Sequence, residues 1–127
     1  MDTSKPIFLA VLAALALLTS GPAQSGFLTG EELLHSCSPQ PVDPVYRLKM
    51  AECRGYVVAV ADTSDCSRQN SEFKWNSSTG ASQRDLVVTV VDWLHAHPEL
   101  LHFQADGLVA AALSETFPCN SVTASGQ

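Results

Sequence analysis

Basic residues are scarce in this chain: Lys and Arg together number 7 against 13 Asp and Glu. A nucleic-acid partner would require clustered Lys and Arg, so that class of function is argued against. Long apolar runs are missing too. The stretch Ile7 to Leu18 holds 12 residues, whereas a membrane span needs about 20, so no stable membrane insertion is expected. There is no Cys-x-x-Cys pair, no Gly-rich phosphate loop and no Gly-x-Ser-x-Gly motif. The carboxylates are scattered, with Asp62 and Asp65 reading as helix-end and loop residues. No constellation carries redox, phosphoryl-transfer or acyl-transfer chemistry. The chain is therefore expected to be neither an enzyme nor the holder of a cofactor.

What is present begins with a targeting pattern. Lys5 supplies a positive charge before the apolar run, and small residues follow from Ser20 to Ser25. This reads as a cleaved signal peptide over residues 1–25, with cleavage after Ala23 or after Ser25. The remaining chain, of about 102 residues, has the length of one domain. It retains 12 acidic and 6 basic residues, so its net charge stays at -6. That balance serves solubility and also suits a basic partner. Four cysteines lie in this part: Cys37, Cys53, Cys66 and Cys119. An even count in a small exported domain reads as two disulfides, and four cysteines allow three pairings. A free thiol nucleophile is not expected in that setting.

Helical signals dominate. Thr29-Gly30-Glu31-Glu32 has the spacing of a capping box and opens a short helix ending near Cys37. Pro39 and Pro41 prevent its continuation. Asp43-Pro44 reads as the N-cap and first position of a second helix running to about Asp62. Its inward stripe is Val45, Leu48, Cys53, Tyr56, Val57 and Val60, and Gly55 within it suggests close approach of a neighbour. Ser82 caps a third helix carrying Leu86, Val87, Val90, Val91 and Leu94, which Pro98 ends. A fourth spans Gln104 to Phe117, with Leu108, Val109, Ala112, Leu113 and Phe117 inward, and Pro118 stops it. The small polar stretch over residues 120–127 reads as a flexible tail.

Between the second and third helices lies a polar, irregular segment from Thr63 to Ser82. At about 20 residues it is long for a compact domain, which marks it as functional or mobile. Its candidate partner-binding residues are Phe73, Trp75 and Asn76, because aromatic side chains dominate interface hot spots. The two aromatics could equally fold back to cover a small core. His95, His97 and His102 cluster near the third helix end, and three imidazoles can bind zinc. His95 and His97, two residues apart, point to different sides, so structural roles are preferred and no metal is assigned.

Four motifs in order resemble a known family. They are Leu33-Leu34-His35-Ser36-Cys37; Cys53-Arg54-Gly55-Tyr56-Val57, continuing to Asp62; Trp93-Leu94-His95-Ala96-His97-Pro98-Glu99; and Leu108 to Cys119, ending in Phe-Pro-Cys. Together they resemble the Rap/Tai group of periplasmic immunity proteins of type VI secretion systems, across essentially all of the chain after the leader. The resemblance implies an all-α periplasmic domain, commonly dimeric, that binds and blocks a cell-wall amidase injected by sister cells. One feature departs from the family pattern. A cysteine in a Cys-x-Pro setting normally stands close before the third helix. Here Lys74 to Gly80 holds neither Cys nor Pro, and Cys66 lies well upstream.

The resulting expectation is a disulfide-stapled bundle of about four helices over residues 26–119 that acts by binding a protein. The expected pairs are Cys37 with Cys53, joining the first two helices, and Cys66 with Cys119, tying the loop to the C-terminus. The alternatives are a periplasmic helical chaperone or stress protein, and a histidine-based metal-binding protein.

Overall fold

Capping boxes start two of the four helices. In the computed structural model, which describes residues 27–69 and 71–120, helix α1 covers Gly30–Cys37 and α2 covers Tyr46–Thr63. Helix α3 covers Gln83–Ala96 and α4 covers Ala105–Thr116. The Thr29 hydroxyl accepts from the Glu32 backbone N–H, and the Glu32 carboxylate accepts from the Thr29 N–H at 2.8 Å. Ser82 and Asp85 repeat the arrangement at α3. Each such cap satisfies donors that the first turn leaves unpaired and contributes about 1 kcal/mol. Single-turn 3₁₀ segments occupy Ser77–Thr79 and Pro98–Leu100. Among the described residues there is no β-strand, and three isolated bridges join extended segments. The fold is a small all-α bundle. The leader expected over residues 1–25, and all of the expected tail except Asn120, lie outside the described residues.

The core sits where the four helices meet. Leu33, Cys53, Val57, Val90, Leu94, Val109 and Leu113 are its largest fully buried side chains. The stripes read from α3 and α4 face inward: Leu86, Val87, Val90 and Leu94 are buried, as are Leu108, Val109, Ala112 and Leu113. Val91 and Phe117 pack partly against them.

Helix α2 differs from the reading of its sequence. It begins at Tyr46 rather than after an Asp43 cap. Asp43 instead forms the preceding turn. Its carboxylate accepts the Val45 N–H at 3.0 Å and pairs with Lys49 at 2.9 Å. The buried stripe is Cys53, Val57 and Ala61. Leu48 lies five residues before Cys53, about 140° around a 100°-per-residue helix, and is exposed, as is Val45.

Glycine placement also differs. A Cβ at Gly55 would meet nothing within 4 Å, so no neighbour approaches there. The crowded glycine is Gly30, where a Cβ would run into Leu108 Cδ1 and stand 3.1 Å from the Leu101 carbonyl oxygen. The first turn of α1 is pressed against the α3–α4 connection. Gly30 N–H donates to the Phe103 carbonyl at 2.9 Å and Glu31 N–H to the Leu101 carbonyl at 3.0 Å, while Ala105 N–H returns a bond to the Leu28 carbonyl at 2.8 Å. Gly30→Ala is expected to cost about 1–3 kcal/mol through overpacking. Gly55→Ala is expected to add roughly 0.5–1 kcal/mol of stability from helix propensity. Chemical denaturation of the two variants checks both signs, and a stabilised Gly30→Ala would refute the close approach.

Candidate functional site

The segment between α2 and α3 is fixed at several points by its own sequence. Ser64 ends α2, and its hydroxyl donates to the Val60 carbonyl at 2.8 Å. The chain then turns around Asp65, whose carboxylate accepts from the Ser67 hydroxyl at 2.6 Å, the Ser67 N–H at 2.9 Å and the Ser77 N–H at 3.3 Å. These bonds, those from Ser67 and Ser77 foremost, hold the Asp65 carboxyl well below the usual carboxylate range. One carboxylate therefore ties the start of the segment to its end. Further on, Trp75 N–H donates to the Ser64 carbonyl at 3.0 Å, Cys66 N–H to the Trp75 carbonyl at 2.9 Å, and Asn76 N–H to the Phe117 carbonyl at 2.8 Å.

Two disulfides complete the frame. Cys37 is bonded to Cys53, between α1 and α2, and Cys66 to Cys119, between the loop and the chain beyond α4. No described cysteine is free. Cys66, which has no counterpart in the family pattern read from the sequence, is thus the loop's covalent anchor.

The three candidate partner-binding residues take different positions. Trp75 turns inward and is only 5% exposed. Its indole N–H donates to the Ala61 carbonyl at 2.7 Å, and its ring meets Phe117 edge-on with centroids 6.1 Å apart. A buried indole needs such a partner, and the last turn of α2 supplies it. Of the two roles open to this side chain, it takes the core one. Asn76 stabilises the 3₁₀ turn by accepting the Ser78 N–H at 3.0 Å. Phe73 remains 42% exposed, at the edge of a shallow groove lined also by Val60, Ser64, Asp106, Gly107 and Ala110. The loop therefore offers one exposed aromatic ring on a braced support.

The histidines are dispersed in role. His97 caps α3, stacks on Trp93 with centroids 4.0 Å apart, and places Nδ1 2.7 Å from the Trp93 carbonyl. His102 lies against Phe103, and His95 is exposed. Among the described residues no three His, Cys, Asp or Glu side chains are grouped as a metal site would require. No described helix is long and apolar enough to cross a membrane. The Trp93 contact to α4, where the indole N–H donates to Glu115 at 2.8 Å, joins residues too distant in the chain to be read from local pattern.

Comparison with known proteins agrees with this architecture. No curated protein matches the chain. The family model of the Rap1a immunity proteins matches residues 29–119, from the Thr29 cap to the cysteine that closes the second disulfide. With the whole four-helix domain inside that match, the chain belongs to the Rap1a immunity protein family.

Proposed function

We propose that this protein is a periplasmic immunity protein that binds and blocks a cognate cell-wall amidase toxin of a type VI secretion system. It is exported by a signal peptide over residues 1–25, and it can form a homodimer. It works without chemistry of its own. The observation that carries this reading is the braced loop that holds Phe73 outward. Obstructing a cleft requires an element that keeps its shape on contact, because ordering a mobile loop would subtract from affinity. Membership of an immunity family supports the same reading. Two disulfides fit an oxidising compartment. The net charge of -6 suits a basic partner.

The test is a search of the neighbouring genes for a secreted amidase, followed by its inhibition measured on peptidoglycan. The purified protein should co-purify with that enzyme and abolish its activity. Phe73→Ala should weaken binding by about tenfold or more, the effect of losing an interface anchor. Its melting temperature should barely move, because the ring is largely outside the core. Full amidase activity in the presence of excess protein would refute the reading. Normal inhibition by Phe73→Ala would move the contact off the loop.

A further inference from the structure

The chain is acidic, yet it gathers arginine in one place. It has four arginines, Arg47, Arg54, Arg68 and Arg84. Three of them line a single groove between α2 and the first turn of α3, together with Tyr46, Met50 and Val87. The groove has a volume of about 500 Å³, and no carboxylate lines it. On α2 the spacing produces this directly, since Arg47, Met50 and Arg54 stand at i, i+3 and i+7 on one helical face. Arg84 joins them from the start of α3, where a cation opposes the helix dipole.

Among the described residues there is one ion pair, Lys49 with Asp43, so none of these groups is held in one, and only Arg84 has a carboxylate, Asp85, near enough to interact with it. Three like charges line one groove, so an anionic occupant would meet all of them on one surface. Arginine's planar fork matches carboxylate in a bidentate geometry. Tyr46, Met50 and Val87 give the groove an apolar lining, of the kind that protein partners use.

Span selects among the possible anions. Arg47 and Arg54 are seven residues apart, about 10 Å along the helix axis at 1.5 Å per residue. A lone phosphate would leave the apolar strip of Tyr46, Met50 and Val87 in the groove uncovered. An extended peptide in the polyproline II conformation rises about 3.1 Å per residue with about three residues per turn, so side chains three positions apart share a face and lie about 9 Å apart, close to the separation of the two arginines. We propose that the arginine-lined groove between α2 and the first turn of α3 docks an acidic, extended segment of a partner protein, with carboxylates three residues apart. This goes beyond the immunity reading and does not rest on it, because the groove is formed by other residues than the loop that bears Phe73.

An exposed ion pair contributes little by itself, so the three arginines must act together on one segment. The test is fluorescence anisotropy at low ionic strength, using the whole protein and a labelled peptide with glutamate at every third position and leucine and serine between. Binding is expected, weakening as salt is added. The double variant Arg47→Glu, Arg84→Glu should lose at least about tenfold in affinity, with a melting temperature no lower than the parent's, because both side chains are exposed and a carboxylate at the start of α3 suits the helix dipole. Arg68→Glu, outside the groove, should bind as the parent does. Three results would overturn the proposal: parental affinity in the double variant, equal weakening by Arg68→Glu, or displacement of the peptide by inorganic phosphate or anionic phospholipid vesicles at equivalent concentration.

Discussion

Replacing Cys66 and Cys119 together by Ser should lower the melting temperature by at least about 15 °C. The argument is one of chain entropy. The two cysteines are 53 residues apart, so their bond restricts a long stretch of the unfolded chain. Loop-closure entropy for that length corresponds to about 4 kcal/mol. For a domain of this size each kcal/mol shifts the melting temperature by about 4–8 °C. The Cys37–Cys53 bond closes a separation of only 16 residues, corresponding to about 3 kcal/mol, so its removal should be the milder change. Calorimetry on the two double variants measures both. A Cys66→Ser, Cys119→Ser variant melting with the parent would show that the loop's hydrogen bonds hold it unaided. Toxin affinity should fall chiefly because the folded population falls, and should recover when measured well below the melting temperature.

Trp75→Ala should cost about 3–5 kcal/mol, measured as a lowered midpoint in urea, because a nearly fully buried indole would leave a cavity between α2 and Phe117. Trp75→Phe should lie between the parent and the alanine variant. It keeps most of the apolar volume but leaves the Ala61 carbonyl without its 2.7 Å donor, a loss of about 1 kcal/mol. The pair separates the two roles that the sequence leaves open for this residue. A core residue loses stability in proportion to the volume removed. An interface anchor would leave the urea midpoint in place and lose toxin binding instead, and that outcome would contradict the geometry seen here.

These residues also mark how far the sequence could be read. Local chemistry was legible. The caps at Thr29 and Ser82 depend on residues three positions apart, and both form as expected. The inward stripes of α3 and α4 follow from helical period alone, and the family motifs anticipated the match over residues 29–119. What was not legible depends on contacts distant in the chain. Whether Trp75 faces in or out is decided by a carbonyl at Ala61 and a ring at Phe117. The glycine under tertiary constraint is Gly30 rather than Gly55, because Leu101 and Leu108 crowd it from the α3–α4 connection and α4. The arginine groove is invisible in sequence because Arg47 and Arg84 meet only through the packing of α2 on α3.

The order of the two disulfides has a consequence for how the chain matures. The first cysteine pairs with the second and the third with the fourth, so the two covalent rings follow one another without nesting or crossing. For a chain delivered N-terminus first, each odd-numbered thiol finds its correct mate in the next thiol to emerge. Oxidation in order of arrival yields the native bonds directly, with no reshuffling step. In such a delivery the first ring, which runs from the end of α1 through the connection to the first half of α2, closes before the rest of the chain arrives, and only the second must wait for the C-terminus.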